Sequence, residues 1–160
     1  MATQVKDIMS TEIISVTPDI GLDILEQELS QNFINGAPVI DNGKVVGVVS
    51  RADIIRQLNI EHTFAAAVYD YYEGAFLAYS QEDETNKLGA FVGGRMEHLT
   101  VKDIMNRSIK SISPELTITE AASLMMEYRV HRLLVIGEQL EGILSTTDYV
   151  RLCAEGNSTL

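Results

Sequence analysis

Short apolar runs alternate with helical stripes along the chain, and they do so twice in the same order. In the first half, β-prone runs at 13–16, 37–40 and 45–49 predict three strands, and apolar residues at helical spacing at 22–29 predict a helix after the first strand. In the second half, the corresponding runs are at 109–112, 133–136 and 142–144, with an apolar helical stripe at 118–126. A last helix follows each half, at about 51–58 and 146–154. The pattern therefore predicts the order strand, helix, strand, strand, helix, twice.

Two residue pairs predict where the first helix of each half begins. Thr17 and Ser113 each precede a proline, Pro18 and Pro114, directly after a β-prone run. A hydroxyl cap followed by proline at the first helical position is a common helix start. We therefore expect Thr17 and Ser113 to be helix N-caps.

The two halves also match residue by residue. The sequence VKDIM at 5–9 recurs letter for letter at 101–105, and the match continues through Val39 with Val135 and Gly47 with Gly142. We therefore divide the chain into a first repeat at 1–58, a connection at 59–100 and a second repeat at 101–160.

The connection is much longer than an ordinary loop and is rich in aromatic residues. Four of the six tyrosines lie in it, and apolar or aromatic residues recur at helical spacing at Phe64, Val68, Tyr71, Ala75 and Tyr79. An apolar helix face needs a cover. Either the rest of the chain or another protein, including a second copy, can provide it.

A Ser-x-x-Asp pattern closes the third strand of each repeat, as Ser50 with Asp53 and Ser145 with Asp148. This spacing is typical of a capping box, in which the serine and the acid satisfy N–H groups of the first helical turn. A helix N-terminus with a serine and a carboxylate can also bind the polar part of a small ligand. The two interpretations are compatible.

Charge and composition exclude several classes of function. The formal net charge is −11, which disfavours nucleic acid as a general partner because phosphate backbones require a positive field. Cys153 is the only cysteine, and no start resembling a signal peptide or apolar run of membrane-spanning length is present, so we expect a cytoplasmic protein without direct membrane insertion. His62, His98 and His131 have no metal-ligand spacing, and no catalytic motif occurs. We therefore expect neither a metal site nor an enzyme.

Taken together, the repeated motifs resemble the CBS domain family. They are VKDIM, the Thr/Ser-Pro helix start, the apolar strand with Val-Ile, and the Gly-apolar-apolar-Ser-x-x-Asp element. The resemblance implies an α+β (α/β) fold of two β-α-β-β-α units about a pseudo-twofold axis. The helical insertion predicted at 59–100 is a departure, since it is longer than the connection typical of the family. It also implies two clefts between the units and often a homodimer.

The resemblance further implies a set of ligand-binding residues. Asp148 and Asp53 would accept hydrogen bonds from ribose hydroxyls, while Ser145, Thr146 and Ser50 would contact ribose or phosphate. Phosphate would meet His131 and Arg132, whose aligned positions in the first repeat are Asn35 and Gly36. On this basis we expect His131 and Arg132 to share the better phosphate cleft with Ser145 and Asp148, and Ser50 and Asp53 to form its weaker twin. The remaining candidates would line the cleft floor or frame a base: Thr17, Ser113, Ala37, Pro38 and Leu133.

The sequence therefore predicts a stand-alone regulatory module. Its regulatory ligand would be AMP, ADP, ATP or S-adenosylmethionine, with no obligatory cofactor, and it would signal ligand occupancy to an unidentified partner protein. The alternative is a ligand-free scaffold or dimerisation module that uses the aromatic insertion.

Overall fold

The structure, a computed structural model, describes residues 2–76 and 84–156. Tyr79 lies outside the described residues, as do the side chains of Tyr69, Tyr71 and Tyr72. The described elements are mixed helices and small sheets, in agreement with the expected α+β class: α1 (Val5–Ile8), α2 (Leu22–Gln31), β1 (Gly36–Asp41), β2 (Lys44–Ser50), α3 (Arg51–Phe76), α4 (Glu84–Met96), α5 (Val101–Ile104), β3 (Ser111–Ile112), α6 (Ile118–Tyr128), β4 (Arg132–Ile136), β5 (Leu140–Ser145) and α7 (Thr146–Ala154).

Each repeat is built on an antiparallel hairpin. Strand β1 pairs with β2, and β4 pairs with β5. The first hairpin turns at Asn42 and Gly43, which both have positive φ, 48° and 77°; such a turn favours asparagine and glycine. The register shifts after Val39 in β1 and after Val135 in β4, so the two hairpins carry an irregularity at the same aligned position.

The first predicted strand of each repeat is short. In the second repeat it is β3, which pairs with β4 in parallel. In the first repeat it makes a single parallel bridge, Val16 with Val39. A two-stranded sheet and a three-stranded sheet result.

The helices begin later than the Thr-Pro and Ser-Pro pairs predicted. Helix α2 is preceded by Gly21 and α6 by Thr117, so Thr17 and Ser113 are not the N-caps. The reason lies in the opposite repeat. Before α2, the Pro18 and Ile20 carbonyls accept from Lys102 and Val101; before α6, the carbonyls of Pro114 and Leu116 accept in the same way from α1. These carbonyls hold a helix of the other repeat, and the chain forms a turn at 18–20 and at 114–116 before the helix begins.

The opening segments of the two repeats are therefore exchanged. Val101 is fully buried in the first core, against Val16, Leu22, Leu25, Leu29, Ala37, Val39 and Val49. Val5 is fully buried in the second core, against Ile112, Ala121, Met125, Leu133, Val135 and Leu144. Each VKDIM segment thus completes the core of the repeat to which it does not belong in sequence.

Backbone pairing and two glycines complete this exchange. Ser10 pairs with Ile143 of β5, and Asn106 pairs with Val48 of β2. Met9 lies over Gly142 and Met105 over Gly47, so closely that an added Cβ would lie 2.5 Å and 2.8 Å from the two sulfur atoms. Glycine is required at both positions because the opposite segment crosses the strand there.

The insertion is helical on both sides of residues 77–83. The helix predicted to end near residue 58 continues without a break to Phe76 as α3, and α4 packs against it. Buried Glu61 accepts hydrogen bonds from Arg95 and from Gln57, and the Arg95 guanidinium carbon lies 4.6 Å from the Phe64 ring centroid. The hydrogen bond from Arg95 holds the pKa of Glu61 below its ordinary value, although burial opposes the shift.

Within the described parts of the chain, no helix combines the length and apolarity required to cross a membrane.

Candidate functional site

A cleft of about 600 Å³ lies between the two repeats. The first repeat contributes β1, β2 and the start of α3, and the second contributes the segment before β3, the end of α6 and the two strands of its hairpin. The lining residues are Gly36, Ala37, Pro38, Val48, Val49, Ser50, Asp53, Arg56, Asn106, Ser108, Lys110, Tyr128, Arg129, Val130, Arg132, Leu133, Leu134 and Ile143.

The acid of this cleft is Asp53, at the start of α3. Its Oδ2 atom accepts from the Ser50 backbone nitrogen at 2.8 Å and from Ser50 Oγ at 2.7 Å. Its Oδ1 atom accepts from Arg56 Nη1 at 2.5 Å. The sequence folds this way locally because a carboxylate three residues after serine satisfies an N–H group at the start of the helix. The capping interpretation is therefore confirmed for Asp53, and the same side chain lines the cleft.

Basic residues are concentrated in the same cleft. Four of the chain's 12 lysines and arginines line it: Arg56, Lys110, Arg129 and Arg132. The chain as a whole carries a formal charge of −11, so this is a local reversal of sign. Clustered cations in a concave site attract anionic ligands, and guanidinium groups suit phosphate oxygens.

Two of these cations have a defined local setting. Lys110 Nζ lies 4.9 Å from the ring centroid of Tyr128, which also lines the cleft. Arg129 follows the last residue of α6 in the left-handed conformation, with φ 54° and ψ 45°. A helix end of this kind turns the chain sharply, and Arg129 is therefore at the point where α6 gives way to β4.

The wall contributed by the strands is apolar. Ala37, Pro38 and Leu133 are buried, as is Leu134, and all four line the cleft. Together with the acid and the cations, they give the cleft three kinds of surface: an acceptor for hydroxyl groups, donors for an anion and an apolar face for a ring.

The second Ser-x-x-Asp copy forms the same cap in a different environment. Asp148 Oδ2 accepts from Ser145 N at 2.7 Å and Ser145 Oγ at 2.6 Å, while its Oδ1 accepts from Ser10 Oγ at 3.3 Å and pairs with Arg151 at 3.2 Å. Its side chain is 2% exposed, against 11% for Asp53. Burial raises the pKa of the adjacent Tyr149 to about 12, with a smaller contribution from the Asp148 charge.

The structure groups the predicted residues differently from the expectation. Arg132 lines the cleft with Ser50 and Asp53, and neither Ser145 nor Asp148 is among the lining residues. The difference arises because the cleft lies between the repeats, so that it takes its acid from one repeat and most of its cations from the other.

Six of the twelve predicted site residues line this cleft: Ala37, Pro38, Ser50, Asp53, Arg132 and Leu133. The other six are not among its lining residues, and four of these are exposed: Thr17, Ser113, His131 and Thr146. The His131 carbonyl accepts from the Thr146 nitrogen at 3.1 Å, so these two residues meet through the backbone.

Sequence reasoning missed Arg56, Lys110, Arg129 and Tyr128. A signal for two of them was present in the repeat alignment, in which Lys110 and Arg129 match Ile14 and Phe33. Together with Arg132, which matches Gly36, they are basic in one repeat and uncharged in the other. This asymmetry indicates that the surface of the second repeat, and not the matching surface of the first, favours an anion.

The comparison with known proteins agrees with the repeated architecture. A sequence profile of the CBS domain matches the chain twice, at residues 5–60 and 101–155. The chain belongs to the CBS domain family. The two matches make it a tandem CBS pair, as the repeated motifs predicted.

Related sequences and structures cover nearly the whole CBS pair. An uncharacterized protein from Methanocaldococcus jannaschii is 28% identical in an alignment that covers 91% of this chain and 88% of that protein. Three other curated relatives are longer, and the chain spans between 21% and 39% of their length.

Two solved structures resemble the fold and contain adenosine compounds. One is CBSX2, a CBS-pair protein of Arabidopsis thaliana, in complex with AMP, with a TM-score of 0.69 and 23% identity over 97% of this chain and 98% of that chain. The other is the CBS pair of a protein designated MJ0100 in complex with 5′-methylthioadenosine and S-adenosyl-L-methionine, with a TM-score of 0.65 and 19% identity over 98% and 99%. At these identities the likeness establishes the fold of the CBS pair.

Proposed function

We propose that this CBS pair is a regulatory module that binds a phosphorylated adenosine compound in the cleft between its repeats. The observation that carries the proposal is the composition of that cleft, in which the helix-capping carboxylate of Asp53, an apolar wall and four basic residues occur together. The adenosine compounds bound by two proteins of the same fold support it.

Each part of such a ligand has a matching surface. A ribose diol donates hydrogen bonds, and Asp53 is a fixed carboxylate acceptor. The phosphate is matched by Arg132, Arg129 and Lys110, and the base by the apolar wall of Ala37, Pro38 and Leu133.

The charge of the cleft favours AMP, ADP or ATP over S-adenosylmethionine. A nucleotide brings negative charge to the four cations, whereas the sulfonium of S-adenosylmethionine is itself cationic. We therefore rank the nucleotides first among the candidate ligands.

Regulation would follow from linkage between ligand and shape. The cleft is bounded by both repeats, so a ligand that contacts both favours the arrangement in which they hold it best. A partner protein that recognises the same arrangement then binds more tightly when the ligand is present.

A titration of the wild-type protein tests this function. AMP, ADP, ATP, S-adenosylmethionine and adenosine are supplied one at a time, and thermal unfolding and isothermal titration calorimetry are recorded. A ligand at 100 times its Kd stabilises the fold by roughly 2.7 kcal/mol, which is readily visible as a rise in Tm. The absence of a shift with every compound at millimolar concentration would contradict the proposal.

One observation favours an interaction module as the second candidate. Large apolar side chains are exposed along α3 and α4: Ile55, Leu58, Ile60, Phe64 and Phe91. Such side chains are typical of a surface that a second copy or another protein covers. Sedimentation of the wild-type protein and of a Phe64→Asp variant tests this candidate, which predicts an assembly that the variant weakens whether or not nucleotide is present.

A further inference from the structure

Arg56 lines the cleft and is bound to the acid of the same cleft. Its Nη1 atom donates to Asp53 Oδ1 at 2.5 Å, and the other oxygen of Asp53 already accepts from Ser50. Both oxygens of the carboxylate therefore have partners within the chain. A ribose hydroxyl that donates to Asp53 meets Arg56 at Oδ1.

The exposed fractions of the two side chains indicate which of them moves. Asp53 is 11% exposed and is fixed by its cap hydrogen bonds, whereas Arg56 is 66% exposed. A guanidinium at the surface can leave its partner and remain hydrated, because an exposed ion pair is weak. Displacing Arg56 is thus easier than moving Asp53.

We infer that Arg56 is a specificity-determining residue that exchanges partners when ligand binds. The ribose replaces it on Asp53 Oδ1, and the released guanidinium pairs with the phosphate of the same ligand. This inference rests on the proposed function. It predicts that the protein discriminates nucleotides from nucleosides. A nucleotide replaces the Arg56–Asp53 ion pair with a new pair between Arg56 and phosphate, whereas a nucleoside breaks the pair and offers Arg56 no new partner.

The chain supplies a matched control in its second repeat. Arg151 pairs with Asp148 at 3.2 Å with the same three-residue spacing, and it is 56% exposed. Neither residue is among those that line the cleft. Changing Arg151 removes an equivalent ion pair without altering the proposed site.

The experiment compares AMP with adenosine by isothermal titration calorimetry in the wild-type protein and in Arg56→Met, Arg56→Lys and Arg151→Met. The exchange predicts that Arg56→Met binds adenosine more tightly, by the ~2- to 5-fold that an exposed ion pair is worth. The same variant binds AMP more weakly. Arg56→Lys retains part of the AMP preference because it keeps a cation, and Arg151→Met leaves both affinities unchanged.

The outcomes separate the inference from the function on which it rests. Affinities for adenosine and AMP that change in opposite directions in Arg56→Met support the exchange. Changes in the same direction, or no change, in a variant whose wild-type parent binds AMP overturn it while leaving the proposed function intact. A wild-type protein that binds neither compound contradicts the proposed function, and the exchange with it.

Discussion

Asp53 serves the fold and the proposed site with different oxygens. Oδ2 caps α3 through Ser50, and Oδ1 is held by Arg56 at the cleft. We predict that Asp53→Asn weakens AMP binding by about 10- to 100-fold, because a hydrogen bond to a charged group contributes about 1.5–3 kcal/mol. Isothermal titration calorimetry measures this change.

Asp148→Asn is the control for this prediction. It alters an equivalent cap, so both variants should lose about 1 kcal/mol of stability in urea unfolding. Asp148 does not line the described cleft, and its variant should bind AMP like the wild type. An equal loss of AMP affinity in the two variants would show that the acid of the site has been misassigned.

Arg132 and His131 are exposed neighbours that differ in their relation to the cleft. Arg132 lines the cleft, whereas His131 does not. We predict that Arg132→Gln weakens AMP binding about tenfold, through loss of a charge-assisted hydrogen bond to phosphate, and changes adenosine binding much less. His131→Gln should change neither affinity. Competition titrations of the two compounds check both variants, and an equal effect on AMP and adenosine would argue against a phosphate contact.

For the candidate site, the sequence predicted the kinds of residue better than it predicted which of them lie in the same cleft. The Ser50–Asp53 cap follows from local spacing, and the structure confirms it. The association of Arg132 with Asp53 does not follow locally, because it depends on how the two repeats face each other. Lys110 and Arg129 belong to no local motif, and only their alignment with Ile14 and Phe33 distinguishes them.

Among the elements, α4 contrasts with β2 in its use of glycine. A Cβ added at Gly93 of α4 meets nothing within 4 Å, whereas one at Gly47 of β2 lies 2.8 Å from the Met105 sulfur and 3.0 Å from the Asn106 carbonyl oxygen. We predict that Gly93→Ala stabilises the protein by about 0.5–1 kcal/mol through helix propensity. Gly47→Ala should destabilise it by ~1–3 kcal/mol through overpacking. Urea unfolding of both variants checks the opposite signs, and two changes of the same sign would contradict this account of the strand crossing.

The capping box of α6 predicts a pH dependence. The Thr117 hydroxyl and backbone nitrogen donate to Glu120, and these hydrogen bonds, the hydroxyl first, hold the pKa of Glu120 below its ordinary value. A lowered folded-state pKa contributes stability that is present above the ordinary pKa and is lost as pH falls through the folded value. Glu120→Gln should therefore lower the urea midpoint at pH 7 and have less effect near pH 3. A deficit of the same size at both pH values would contradict the assignment.

The elements show where local pattern was sufficient. The hairpin turn at Asn42 and Gly43 follows from its own residues, because asparagine and glycine tolerate the positive φ that the turn requires. Helices α2 and α6 begin later than Thr17 and Ser113 predicted, because the carbonyls that precede these helices accept hydrogen bonds from the other repeat. A local sequence pattern contains no information about that contact. Helix α4 was not predicted, since Gly89, Gly93 and Gly94 all lower helix propensity, and its packing against α3 compensates.

At the scale of the whole molecule, the repeats are joined by more than their connection. The opening segment of each repeat packs into the core of the other repeat, so that Val5 lies in the second core and Val101 in the first. The identical VKDIM sequences revealed the duplication, but the exchange itself became visible only in the contacts. The cleft lies between two units that therefore cannot separate without opening both cores.

This exchange predicts that the two repeats unfold together. Val5 and Val101 are both fully buried, so Val5→Ala and Val101→Ala should each lower the free energy of unfolding by about 2 kcal/mol. In each variant, amide hydrogen exchange should show the same loss of protection in the β1–β2 and β4–β5 hairpins, because the destabilised core belongs to one repeat and the altered side chain to the other.

Ile55→Ala, at a position that is 59% exposed, is the control and should leave protection unchanged in both hairpins. If Val5→Ala lowered protection in β4–β5 alone, the repeats would be separate folding units, and a ligand between them could not be coupled to the stability of the whole CBS pair.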